Sequence, residues 1–476
     1  MGSLKPELFN LQVDNGIDNK RQFSTSRQYS AVLCMNLLTF SYGFTCGWLS
    51  GALIIFNSDE TPLITKQLKT EEIGWIASAI AIGGFVANLF FGWLSERTGR
   101  KVALYVVVVP QLLSWIFVYY ARTPFYLVVS RILGGFAGGG LFTLVPLYTA
   151  EISDDKVRGV LGSFLVLICN AGLLFAYICG GYFDYYTQIY MIIPFSAAFI
   201  LLFAKYPDSP TSLIKRKLFD EAEKSFLFYR SIEKYSREAK SLFEDNVLNA
   251  QSNDEKDNKI SVKDFASKSS KKAITYGIAL MVLNQFCGCF AMVVYAASIF
   301  QISGSNLSPV NSTIIVGSIQ IVGALFASLF VERAGRKFMM IISSFGIAIG
   351  FSSLGMYLYL QTIGMKFEGY SFIPLVAFSS AIFLGNLGVI TLPFMILNEI
   401  SPPKIRGFTS VLCMSVLWIC VFSVIKYLPN LIEIMELHGV SFLFALNSFI
   451  GGVFIVICIP ETKGRSVEEI MKIMDK

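Results

Sequence analysis

A charged block that recurs between long apolar runs constrains this chain more than any other feature. Glu96-Arg97-Thr98-Gly99-Arg100-Lys101 returns as Glu332-Arg333-Ala334-Gly335-Arg336-Lys337. Two further correspondences follow in the same order. Pro146, Glu151 and Arg158-Gly159 answer Pro393, Glu399 and Arg406-Gly407, and Pro207-Asp208-Ser209-Pro210 answers Pro460-Glu461-Thr462-Lys463-Gly464 more loosely. The chain is therefore built as two parallel copies of one unit. A long repeat carried on hydrophobic spans implies two equivalent helix bundles with a site between them.

The solvent for most of this chain is lipid. It is 54% hydrophobic and 15% charged over 476 residues, whereas soluble domains are about 25% charged. Apolar runs of about 20 residues, each long enough to cross a ~30 Å hydrocarbon core as a helix, recur about twelve times. The spans are expected at roughly 29–56, 73–94, 102–121, 125–149, 159–181, 189–206, 274–300, 311–331, 338–360, 371–397, 408–431 and 439–460. The fold class expected is an all-α membrane protein. Its organisation is a leader (1–28), a first bundle (29–206), a polar linker with short amphipathic helices (207–273), a second bundle (274–460) and a tail (461–476).

The first apolar run begins near Tyr29, after a polar leader, and is too long for a cleaved signal core. Pro6 stands where myristoylation wants Ser or Thr. The formal charge of +6 reflects topology and not nucleic-acid binding. Arg97, Arg100, Lys101, Lys156, Arg158, Arg333, Arg336, Lys337, Lys404, Arg406, Lys463 and Arg465 fall in alternate loops, which places those loops and both termini in the cytosol. The nine cysteines lie within expected spans and read as small apolar packing residues, and His438 is the only histidine. No metal or cofactor site, nucleophile or phosphate-cradling loop is legible, so an enzyme is not expected. The sequons at Asn306 and Asn311 lie against the bilayer, and the first is followed by Pro309.

Polar groups inside the spans are the functional candidates, because lipid offers them no partners. Arg131 in the fourth span needs a partner or an aqueous cavity, unless it snorkels to a helix end. Glu151 and Glu399, each seven residues before an arginine, suit a cytosolic salt-bridge network that locks and releases two bundles, or plain interfacial anchoring. A gate is thus expected from Glu96, Arg97, Gly99, Arg100, Arg131, Glu151, Arg158, Glu332, Arg333, Gly335, Arg336, Glu399 and Arg406. The amides Asn284, Gln285, Gln320, Asn386 and Asn398 suit either a neutral polyhydroxylated ligand or helix-to-helix hydrogen bonds. Phe290, Tyr295, Phe394 and Trp418 suit stacking on a sugar ring or core packing. Gly134-Gly135 and Gly138-Gly139-Gly140 permit close helix approach, and Pro146 and Pro393 are expected to kink their spans.

Taken together these motifs resemble the sugar porter family of the major facilitator superfamily over about 29–470. The pattern D/E-R-x-G-R-R/K is met twice, at Glu96 to Lys101 and Glu332 to Lys337. R-x-x-x-G is met by Arg131 and Gly135, P-x-Y-x-x-E with R-G by Pro146, Tyr148, Glu151, Arg158 and Gly159, and P-E-T-K-G-R by Pro460 to Arg465. Gly47-Trp48-Leu49-Ser50 is similar to the G-W-x-S of insect trehalose and glucose transporters. The resemblance implies twelve transmembrane helices in two six-helix bundles, alternating access and a small neutral solute, a sugar, as substrate. It implies binding by Asn284, Gln285, Gln320, Asn386, Phe290, Phe394 and Trp418, with no protein partner needed beyond the lipid bilayer.

Several positions depart from the family pattern. Asn284 replaces a glutamine and Phe290 the sugar-binding asparagine of the seventh span. Phe394 replaces the tenth-span tryptophan, Val166 the fifth-span glutamine, and Leu417 and Val421 the eleventh-span asparagines. Gly43 stands where proton-coupled members carry an aspartate, so facilitated diffusion at the plasma membrane is expected. Thr211 replaces the arginine of P-E-S-P-R, which removes the expected partner for a salt bridge there. The thinned polar site also raises a carrier of a less polar solute, or a transporter-like sensor without flux, although only a short tail follows Arg465.

Overall fold

The computed structural model describes residues 24–56, 58, 61–64, 68–232, 240, 241, 243, 244, 247, 248, 262–265, 267–304, 307–365, 370–465 and 467–475. Asn306 and the side chain of Glu332 lie outside the described residues, as do most of the leader and much of the linker. All regular structure among the described residues is helical. Before the linker come α1 (Ser26–Phe56), α2 (Thr70–Thr98), α3 (Arg100–Tyr119), α4 (Pro124–Ile152), α5 (Asp155–Tyr182) and α6 (Tyr185–Phe203), then the short α7 (Pro210–Lys215) and α8 (Phe219–Tyr229). After it come α9 (Lys268–Phe286), α10 (Cys289–Val294), α11 (Ala296–Ser303), α12 (Pro309–Ala334), α13 (Arg336–Thr362), α14 (Ile373–Leu387), α15 (Pro393–Ile400), α16 (Arg406–Cys458) and α17 (Val467–Asp475). Among the described residues ten helices are long and apolar enough to cross a membrane, which makes this a multi-pass membrane protein.

Two expected spans take a different outline, each for a local reason. The seventh is broken at Gly288, whose left-handed backbone (φ 81°) lies where any Cβ would enter the Phe444 ring. The tenth divides into α14 and α15 across Gly388 to Leu392, and Pro393 opens α15, where its missing N–H costs nothing. Pro146, by contrast, sits inside the unbroken α4. The last two spans, both within α16, are two helices that meet at a kink at Glu436 (φ 56°, ψ 172°), inside the expected break between 431 and 439.

Helices before the linker pack chiefly on one another, α2 on α4 and α1 on α5 most closely, with α3 on α4 and α6 on α1. After the linker α13 packs on α16 and α14, α9 on α16, and α12 on α14. These two groups meet through α2 with α16, α5 with α12, and α1 with α10 and α11.

The tightest pairs are built on reciprocal glycines. A Cβ on Gly83 would strike the Ile132 carbonyl of α4, and one on Gly135 would strike the Ile80 carbonyl of α2. Gly43 likewise faces the Cys169 carbonyl, and Gly172 the Phe40 carbonyl, where α1 crosses α5. Backbone-to-backbone approach of this kind replaces a hydrophobic driving force that lipid cannot supply. Gly135→Val is therefore expected to cost about 1–3 kcal/mol as overpacking, read as a lower melting midpoint in detergent. Gly162→Ala, on α5 with nothing within 4 Å of the added methyl, should be neutral or stabilising by up to ~1 kcal/mol.

Candidate functional site

The repeated block folds twice into the same device at one end of the helices, here termed the basic end. Gly99 (φ 94°) turns the chain from α2 into α3. The Asp208 carboxylate, beyond α6, accepts the backbone N–H of Lys101 at 3.1 Å and of Ser209 at 2.8 Å. In the second copy Gly335 (φ 94°) makes the turn, and Glu461 accepts from the N–H groups of Arg336 at 3.1 Å and Lys337 at 3.2 Å. A carboxylate at a helix start satisfies otherwise orphaned donors and meets the positive end of the dipole. The lysines match as well: Lys101 Nζ donates to the Ala204 carbonyl at 3.0 Å and Lys337 Nζ to that of Val456 at 2.8 Å.

The second basic residue of each block turns inward. Arg100 is 2% exposed and pairs with Glu96 at 2.8 Å and Glu151 at 3.0 Å, while donating to the Ser95 carbonyl at 2.9 Å. Ser209 donates to the other oxygen of Glu151, and Lys215 of α7 reaches Glu96 at 3.5 Å. Arg336 approaches Glu399 more loosely, at 3.5 Å. Arg158 and Arg406 donate to the Ser153 and Ser401 carbonyls at 3.2 and 3.4 Å. Arg97 and Arg333 are exposed; Arg97 lies over the Trp93 ring and the Arg333 carbonyl accepts from Lys463. Both carboxylate pairs therefore join helices of one group, α3 to α4 and α13 to α15, and do not cross between groups.

Two sequence expectations change here. Arg131 is not part of this cluster: it lies twenty residues before Glu151 on α4, about 30 Å along the axis. It is 1% exposed, donates to the Thr45 carbonyl of α1, and has Cys46, Tyr42 and Tyr295 within electrostatic reach. The arginine missing at Thr211 is supplied by Arg216, 3.7 Å from Asp208. Burial pushes the Asp208 carboxyl above the usual carboxylate range, opposed by its bonds from Ser209 and Lys101.

Within the apolar layer the amides divide by role, and one pair crosses between the groups. Gln320 of α12 donates to Asn170 of α5 at 3.0 Å, which leaves Gln320 Oε1 and Asn170 Nδ2 buried without partners. Asn386 bonds its own helix at Ile382 and keeps a buried, unpartnered Oδ1. Asn284 is committed to structure, donating to the Val389 and Ile390 carbonyls at 2.7 and 3.1 Å and accepting from Gln285 at 2.6 Å. Trp418 packs against Gly84 of α2 with its indole N–H unpartnered. Phe290 and Phe394 are half-buried against the core, and Asn398 accepts from Ser410 at 3.4 Å.

At the opposite, far end the groups are stitched together. Lys426 of α16, 7% exposed, donates to the Glu71 carbonyl at 3.2 Å and lies 4.2 Å from the centre of the Trp75 ring. Thr70 donates to Glu433, Ser50 accepts from the Ala297 N–H at 3.0 Å, and Tyr177 donates to the Val293 carbonyl at 2.7 Å. Tyr182 also reaches Asn311, in the first turn of α12, at 3.3 Å. Nearer the basic end Asn88 reaches the Val411 carbonyl at 3.4 Å. Sequence reasoning passed over Lys426 and Asn170, whose signal was an ionisable or amide group within an apolar run.

A duplicated helical frame, held together across one end and carrying unpaired amide atoms where α5 meets α12, fits a membrane transporter. The chain belongs to the sugar (and other) transporter family, whose model matches residues 31–474. It is 29% identical over 447 residues to the facilitated trehalose transporter Tret1 of Bombyx mori, covering 93% of this chain and 86% of that one. It is 27% identical over 449 residues to the Tret1 of Drosophila grimshawi, covering 94% of this chain but only 48% of that longer protein. The fold matches the inward open conformation of the xylose transporter XylE from E. coli with a TM-score of 0.76, at 22% identity, over 94% of this chain and 99% of that one. A partially occluded inward open form of XylE matches at 0.75 with 22% identity, over 93% of this chain and all of that one.

The two charged copies differ in burial, and this sets their sensitivity. Glu151→Ala strands the buried Arg100 guanidinium beside a half-exposed Glu96 and is expected to cost about 3–5 kcal/mol. Glu399→Ala removes a longer, more open contact and is expected to cost about 1 kcal/mol or less. Melting midpoints of the two purified variants against the parent check the order.

Proposed function

We propose that this protein moves a sugar, a hexose or a trehalose-like disaccharide, by facilitated diffusion with alternating access. Family membership supports transport of this class, and the relatives named as facilitated trehalose transporters support the disaccharide. The observation that carries the reading is the Gln320 and Asn170 pair. One amide from each group meets its counterpart, and each retains one buried, unfilled atom, an acceptor on Gln320 and a donor on Asn170. A neutral hydroxyl can satisfy both at once, whereas an ion cannot. Asn386 Oδ1 and Trp418 Nε1 add a further acceptor and donor.

Twelve crossings in two six-helix bundles follow if α9 to α11 form the seventh, α14 and α15 the tenth, and α16 the last two. The basic loops and both termini then face the cytosol of a plasma-membrane protein. The far-end contacts of Lys426, Thr70 and Tyr177 would form the outer gate, with the Arg100 and Arg336 clusters stiffening the cytosolic ends. Gly43 supports passive transport: α5 backbone occupies the space a coupling carboxylate would need.

Counterflow in vesicles preloaded with trehalose or glucose tests the proposal. Saturable exchange indifferent to a pH gradient is expected, and Gln320→Ala should weaken it about tenfold, the equivalent of one buried hydrogen bond. Absence of exchange for every sugar tried would overturn it.

A further inference from the structure

The linker helices enclose a cavity that the transport reading does not use. It measures about 590 Å³ and lies between the start of α3, the turn after α6, and helices α7 and α8. We propose that this cavity binds the phosphorylated headgroup of an anionic membrane lipid.

Charge is the first argument. Lys101, Lys205, Arg216 and Lys224 line the cavity, against the carboxylates of Asp208 and Glu221. Asp208 is already committed to the N–H groups of Lys101 and Ser209 and to Arg216. Glu221 stands one turn before Lys224 on α8 and offsets that charge in part. Lys205 extends over the Tyr206 ring, 5.3 Å from its centre, and Lys101 Nζ donates to the Ala204 carbonyl at 3.0 Å with the Asp208 carboxylate within electrostatic reach. The cavity thus presents more cationic than anionic groups, with strong donors converging on one space.

Position is the second argument, and it favours a lipid over a soluble anion. The cavity opens where α6 leaves the apolar layer, beside the outward-facing Val102, Leu201 and Leu202. Leu213 and Phe228 add an apolar wall, and Ser225, which donates to the Asp208 carbonyl at 2.5 Å, holds α8 over the opening. A headgroup entering from the membrane keeps its chains on the α3 and α6 surface while its phosphate meets the cations. Basic clusters at this boundary recognise anionic lipids. The consequence reaches the gate region, because α7 also carries Lys215, the partner of Glu96. An occupied cavity would hold the linker helices against the charged block.

The test uses the full-length protein purified in detergent and follows its melting midpoint during titration with short-chain phosphatidylinositol 4-phosphate. Phosphatidylcholine of equal chain length and free inositol 1,4-bisphosphate are titrated in parallel. A saturable rise with the phosphoinositide alone is expected. Lys205→Gln with Lys224→Gln should weaken it about tenfold or more, and Lys205→Arg with Lys224→Arg should preserve it. No shift, an equal shift with phosphatidylcholine, or undiminished binding by the glutamine variant would overturn the proposal. An equal response to the free bisphosphate would overturn the lipid assignment in favour of a soluble anion. Should the glutamine variant fail to fold, the parent and arginine variant against phosphatidylcholine still decide. Sugar counterflow in phosphoinositide-free vesicles reads transport separately, so the two proposals fail independently.

Discussion

A guanidinium removed from water at the end of a transmembrane helix must find its charge partners within the protein, and the geometry of this molecule depends on how Arg100 finds them. Its carboxylate partners come from α2 and α4, while its own backbone neighbour, the Lys101 N–H, is held by Asp208 from beyond α6. One residue therefore ties the ends of three helices, and the adjoining acid ties the sixth. Truncating Glu151 strands the buried guanidinium beside a half-exposed Glu96, and truncating Asp208 leaves the Lys101 and Ser209 N–H groups without their acceptor. Gly99 is what makes the convergence possible, since a side chain there would fall on the Asp208 carboxylate. The second copy repeats the plan with Gly335, Glu461, Arg336 and Glu399, but with a longer, more exposed ion pair.

Much of this was legible because duplication marks function against a uniform apolar background. The charged blocks, their correspondence with Pro207-Asp208 and Pro460-Glu461, and the helical membrane class all follow from composition and order. Partner choice did not follow. Glu151 was read with Arg158, seven residues on, yet it meets Arg100 from a different helix, because chain spacing says nothing about which helix ends converge. Arg131 was grouped with the basic cluster on motif kinship alone, although its place in the fourth span already put it about 30 Å away. Helix outlines at Gly288 and at Gly388 to Leu392 were hidden for another reason. Hydropathy is blind to backbone breaks that neighbouring helices satisfy.

The contrast between the contacts inside each group and those between groups bears on motion. Inside a group, α2 meets α4 and α1 meets α5 backbone against backbone, contacts that admit no sliding without collision. Between groups, the far end is held by single hydrogen bonds, to the Glu71 and Val293 carbonyls, the Glu433 carboxylate, the Ser50 hydroxyl and the Asn311 amide, and by one ammonium over an indole. Each such bond contributes on the order of 1 kcal/mol net, and together they amount to a few kcal/mol, the scale at which a ligand can shift one conformation to another. Two of the acceptors are the backbone carbonyls of Glu71 and Val293, which water can satisfy once the groups part. Opening the far end thus leaves few buried polar groups stranded.

Coupling to a proton gradient would need a titratable group in the pathway, and the packing of α1 leaves no room for one at position 43. A carboxylate at position 43 would require α1 and α5 to separate, because the Cys169 carbonyl already occupies the space of a Cβ. The reciprocal contact of Gly172 with the Phe40 carbonyl makes that separation a loss for both helices. Arg131 is then a cation without a carboxylate partner among the described residues, steadied by the Thr45 carbonyl and by the polar rings of Tyr42 and Tyr295. A guanidinium does not deprotonate in the physiological range, so it supplies a fixed charge and not a switch. A fixed charge of this kind neither takes up nor releases a proton, and its contact with the Thr45 carbonyl ties α4 to α1 within one group.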